Sequence, residues 1–97
     1  MDARSQYVNT LQRFKQEHGA EYGLTRIGLF GSAARGEQNS ESDVDILVEA
    51  PVLGLLSLIS IKLRLEEMFG IPVDVVRKTE YMPAQFKARI EKEVIYV

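Results

Sequence analysis

The chain has 97 residues, 45% of them apolar and 27% charged, a composition that predicts one folded globular domain spanning residues 1–97 and excludes a disordered or fibrous chain. Twelve Lys and Arg against fourteen Asp and Glu leave a net charge of −2, so a broad electrostatic grip on a nucleic-acid backbone is not expected. Cysteine is absent, which removes disulfides and thiolate metal sites. The N-terminal MDARSQYVN is too polar for a signal peptide and the longest apolar stretch, residues 52–61, too short to cross a bilayer, so a cytoplasmic protein without a membrane partner is predicted.

In residues 2–18, Tyr7, Val8, Leu11 and Phe14 recur at helical spacing, Arg13 and Glu17 stand four apart, and Gly19 supplies a stop. Residues 25–30 alternate, with Ile27 and Leu29 on one face, and read as a strand broken by Gly31-Ser32. A short helix and a polar loop over residues 36–42 lead to a second alternating strand, residues 43–49. Pro51 and Gly54 mark a turn before a helix over residues 55–69, closed by Gly70. Leu55, Leu56, Ile59, Leu63 and Met68 form a wide stripe that predicts a well-buried helix, either core or in part a self-association face. A third strand over residues 73–76 follows Pro72, and residues 79–83 enter a last helix carrying Phe86 and Ile90, supported by Lys87 and Glu91. Residues 94–97 are an apolar tail that either pairs as a final strand or stays exposed as a contact surface. The order predicts an α/β (α+β) fold: a small mixed sheet of three to four strands with helices packed on it.

In the second strand Val44, Ile46 and Val48 share one face, and Asp43, Asp45 and Leu47 the other. Two carboxylates pointing the same way beside an apolar face repel each other unless a cation lies between them, and oxygen-only ligands favour Mg²⁺ or Mn²⁺ over zinc. A bare D-x-D is more often a solvated strand edge, but Gly31-Ser32 upstream has the make-up of a phosphate-holding turn, and Arg35 can pair with a phosphate oxygen. If the third strand lies beside the second, Asp74 joins Asp43 and Asp45 on one face, an arrangement suited to two metal ions. A sugar-nucleotide enzyme using D-x-D needs a larger domain, and a calcium loop does not interleave its ligands with Val and Ile. His18, the only histidine, suits the end of the first helix rather than a general base, and Arg77 is placed to touch substrate or partner without the sequence selecting either.

The stretch GSAARGEQNSESDVDILVE (residues 31–49), with Phe30 before it and Asp74 downstream, resembles the signature of the polymerase-β-type nucleotidyltransferase superfamily. It is most similar to the minimal nucleotidyltransferases that partner HEPN-domain proteins. The resemblance implies transfer of a nucleoside monophosphate from an NTP, with ATP expected, to a hydroxyl with release of pyrophosphate. It assigns Asp43 and Asp45 to both of two Mg²⁺ ions, Mn²⁺ being an alternative, and Asp74 to the ion that activates the acceptor. Gly31 and Ser32 then hold the departing phosphates, with Arg35 as a further phosphate contact. The missing acceptor-binding domain points to a protein acceptor: a HEPN-domain toxin for which this chain is the antitoxin. The competing expectation is a binding antitoxin or interaction module with a vestigial nucleotide site, and a homo-oligomer is compatible with either.

Overall fold

A computed structural model describes residues 2–37 and 43–97, so most of the polar loop read over residues 36–42 lies outside the described residues. The first helix, α1 (Ala3–His18), starts where Asp2 accepts the Ser5 backbone N–H at 2.8 Å and buries Leu11 and Phe14. Strand β1 (Arg26–Phe30) runs directly into a one-turn helix, α2 (Gly31–Arg35), and β2 (Val44–Glu49) returns beside β1. Helix α3 (Leu55–Phe69) then crosses to β3 (Val73–Arg77), and α4 (Ala84–Glu93) leads to β4 (Ile95–Tyr96).

The sheet order is β3-β2-β1-β4, with β1 antiparallel to both β2 and β4, and β2 parallel to β3. This is the predicted mixed sheet. Alternation gives it two apolar faces. On one, Ile27, Leu29, Val44, Ile46, Val48 and Val73 meet Leu11 and Phe14 of α1 and Ile61 and Leu65 of α3. On the other, Phe30 and Leu47 are covered by Ile90 of α4, with Phe86, Val94 and Tyr96 packed around them. The apolar tail takes the first of its two expected forms: Tyr96 pairs with Gly28, Ile95 with Leu29, and the Val97 N–H donates to the Ile27 carbonyl at 3.0 Å.

One expectation is overturned. Helix α3 has the predicted bounds, but of the stripe expected to be buried only Met68 packs on the core and the rest faces outward: Leu55 is 72% exposed, Leu56 82%, Leu63 59%, with Ile59 and the preceding Val52 also exposed. The line that enters the core is Leu58, Ile61, Leu65 and Met68. Both lines have helical spacing, and periodicity alone does not fix which one meets the sheet. Among the described residues, no helix is long and apolar enough to cross a membrane.

Candidate active site

The strand register brings the sequence-selected residues to one end of the sheet. Phe30, the last residue of β1, pairs with Asp45, and Asp45 pairs with Asp74 across the parallel β2–β3 ladder. Paired residues on adjacent strands point to the same face with backbones about 5 Å apart, so Asp45 and Asp74 lie side by side. Both are on the face that α4 covers farther along the strands, because Val44, Ile46, Val73 and Val75 take the opposite one. Asp43, exposed just before β2, adds the third carboxylate.

Asp45 is the half-buried member and carries the electrostatic signature of the cluster. Burial holds its carboxyl above the ordinary carboxylate pKa, and Asp74 and then Asp43 push it further in the same direction, against the opposing pull of Arg35 and Arg89. Gly31 makes room for it. Its φ of 72° is one that side chains rarely adopt, and a Cβ built there would overlap the Asp45 carboxylate. Gly31, the residue that follows β1, and Asp45, the second residue of β2, are therefore one steric unit. Ser32, half-buried beside it, turns the chain by accepting the Glu37 N–H on its carbonyl at 2.8 Å.

Among the described residues, no three carboxylate or imidazole side chains are gathered closely enough to hold a metal ion as they stand. The donor set still fits a hard divalent cation: it is all carboxylate, Asp45 and Asp74 are paired on adjacent strands, and burial, then the charges of Asp74 and Asp43, hold the Asp45 carboxyl above its ordinary pKa.

Arg35 is not free. Its Nε donates to Glu37 at 2.9 Å and its Nη1 to Glu93 of α4 at 2.9 Å. Arg89 approaches the same Glu93 oxygen at 4.0 Å, so one carboxylate holds two guanidiniums beside the aspartates. Arg89 and Glu93 escaped the sequence reading, since an Arg and a Glu four apart on a polar helix look like any surface pair. Only the packing of α4 on the aspartate face gives them a place at the site.

Arg77 serves the chain itself. Its Nη2 donates to the carbonyls of Ala50 at 3.0 Å and Pro51 at 3.3 Å, tying the end of β3 to the β2–α3 connection. His18 does end α1 and meets Arg64 of α3 at 2.9 Å, on the sheet face away from the aspartates. A cavity of about 300 Å³ beside α1 and α2 is lined by Arg4, Tyr7 and Arg35, and another of about 470 Å³ by Glu49, Arg77, Lys78, Tyr81 and Lys87. Neither is lined by Asp43, Asp45 or Asp74.

The nucleotidyltransferase domain family matches residues 9–97. Protein adenylyltransferase MntA of Thermococcus cleftensis is 39% identical over 88 residues, 90% of this chain and 88% of that protein. A solved structure provisionally described as a minimal nucleotidyltransferase superposes with a TM-score of 0.74 at 31% identity, covering 98% of this chain and 95% of the other. A chain from the complex of a tri-AMPylated Shewanella oneidensis HEPN toxin with its MNT antitoxin shares the fold, with a TM-score of 0.67 at 19% identity over 96% of this chain and 70% of that one. The match over nearly the whole chain places it in the nucleotidyltransferase domain family, with the size and fold of a minimal nucleotidyltransferase.

Proposed function

We propose that the chain transfers AMP from ATP to a hydroxyl of a partner protein, that the partner is a HEPN-domain toxin, and that the modification neutralises it. The observation that carries this reading is the Asp45–Asp74 pair on adjacent parallel strands, with Asp43 beside it and Gly31 leaving room for the Asp45 carboxylate. The name of the Thermococcus relative and the HEPN complex of the Shewanella structure support the acceptor class.

In the reaction, the acceptor oxygen forms a bond to the α-phosphorus of ATP while the bond to the β-phosphate oxygen breaks, and pyrophosphate leaves in line. Asp43 and Asp45 would hold two Mg²⁺ ions in common and Asp74 one of them. Bound there, the ions supply charge stabilisation to the entering and leaving oxygens. Asp74 also accepts the proton of the acceptor hydroxyl. Gly31 and Ser32 line the departing phosphates with backbone and hydroxyl donors. Arg35 and Arg89 set positive charge at the same edge, and Glu93 holds them in place before the triphosphate arrives.

The test is label transfer from α-labelled ATP, with Mg²⁺, to the product of the adjacent gene, for wild type and for the Asp43→Ala/Asp45→Ala double variant. Label on the partner with wild type alone is expected. An unlabelled partner that still forms a stable, neutralised complex with wild type would replace the reading by that of a binding antitoxin.

A further inference from the structure

The outward stripe of α3 lies on the sheet face away from the aspartates, so its apolar side chains serve neither the core nor the reaction. Val52, Leu55, Leu56, Ile59 and Leu63 together leave on the order of 500 Å² of apolar surface in one patch, at the upper end of what a monomer exposes without using it.

The charges at the ends of the same helix say what covers it. A helix favours acidic residues in its first turn and basic ones in its last. Helix α3 has neither: Gly54 caps its start without a side-chain hydrogen bond, no acidic residue follows, no basic residue stands in the last turn, and Glu66 and Glu67 are there instead. An antiparallel copy of the same helix corrects both ends at once. With Ile59 at the crossing, Leu55 of one copy faces Leu63 of the other, and Glu67 of each lies over Pro51 and the uncapped start of the other. The patch is thus complementary to itself, as a two-fold interface must be.

We infer that this face joins two copies of the chain through an antiparallel α3–α3 contact. The dimer goes beyond the proposed reaction and does not depend on it, since both aspartate clusters stay open on the opposite side of each sheet. Two such patches bury about 1,000 Å² in all, which is small for a specific interface and fits dissociation in the micromolar range.

Sedimentation equilibrium of the full chain alone, from micromolar to hundreds of micromolar, tests it together with three substitutions. Ile59→Arg is expected to weaken association by about a hundred-fold or more, because one change at the two-fold axis acts twice. Its melting temperature in dilute solution should stay near that of wild type, since Ile59 is exposed in the single chain. Glu67→Lys should weaken association several-fold while raising the melting temperature of the monomer, whose own helix end it suits. The chain contains no cysteine, so Ile59→Cys places a lone thiol at the axis and should oxidise to a covalent dimer. Leu55→Cys should cross-link only when mixed with Leu63→Cys. A monomer at hundreds of micromolar, a dimer indifferent to Ile59→Arg, or tighter association with Glu67→Lys would overturn the inference. So would a monomeric chain whose HEPN complex is lost with Ile59→Arg, which would give the face to that partner instead.

Discussion

Replacing Gly31 with alanine tests the steric link between the glycine turn and Asp45. Two penalties are expected. The first comes from the backbone: a residue with a Cβ at φ 72° is disfavoured by about 1–2 kcal/mol. The second comes from the neighbour, because the new Cβ would occupy the place of the Asp45 carboxylate and force that side chain out of its rotamer, a further ~0.5–1.5 kcal/mol. Gly70 separates them. It has the same φ of 72° at the end of α3, and a Cβ built there meets nothing within 4 Å, so Gly70→Ala carries only the backbone penalty. The difference between the two variants is therefore the Asp45 contribution, about 1 kcal/mol, which for a domain of this size is a further fall in Tm of roughly 4–8 °C. Carboxyl carbon NMR titration supplies a second readout. In Gly31→Ala the displaced Asp45 loses its burial and its nearness to Asp74, so its pKa should fall toward the ordinary carboxylate value, whereas in Gly70→Ala it should not move. Transfer of AMP should be lost with the first variant and kept with the second below its melting temperature. Equal melting losses with an unchanged Asp45 titration would refute the reasoning.

Asp45→Asn should raise the metal-free Tm by a few degrees at pH 7. The sign follows from the raised carboxyl pKa: ionised Asp45 opposes folding above its folded-state pKa, and the penalty disappears as the pH falls toward the ordinary carboxylate value, so the advantage of the variant should vanish on acidification. Mg²⁺ should stabilise wild type and not the variant, and a variant less stable than wild type at neutral pH without metal would contradict the crowded-carboxylate account. Arg77→Ala should lose about 2 kcal/mol in chemical denaturation, since it strips a charged donor from the carbonyls of Ala50 and Pro51. Arg77→Lys should restore part of that stability; an Arg77→Ala protein of unchanged stability but impaired transfer would return the residue to the reaction.

The three aspartates were legible in the sequence because their signal is local. Alternation alone sets Asp43 and Asp45 against Val44 and Ile46, and the same holds for Asp74 between Val73 and Val75. Gly31 was legible as a turn residue, but not its contact with Asp45, which depends on Phe30 pairing with Asp45 across the β1–β2 ladder. The features that escaped are those decided by long-range packing. Helix α3 offers two apolar lines, and only the docked sheet selects Ile61 and Leu65 over Ile59 and Leu63. Arg89 and Glu93 gain their place from α4 lying across the aspartate face, and Arg77 from the path of the β2–α3 connection. The C-terminal residues chose the sheet over solvent because β1 offered Gly28, whose missing side chain lets Val94 and Tyr96 close on it.

Because β2 and β3 are parallel, Asp45 and Asp74 become neighbours only after the intervening chain, about thirty residues including all of α3, has closed a loop and crossed the sheet. Pairings of this kind form late, after local helices and hairpins. A half-folded chain can therefore possess α1, the β1–β2 hairpin and even Gly31 in its turn without possessing a place for the nucleotide. Ligand added during refolding should leave the early rates untouched and act only on the completed state, slowing its unfolding. The same closure gives a newly made chain a built-in delay, with its chemistry arriving last and all at once.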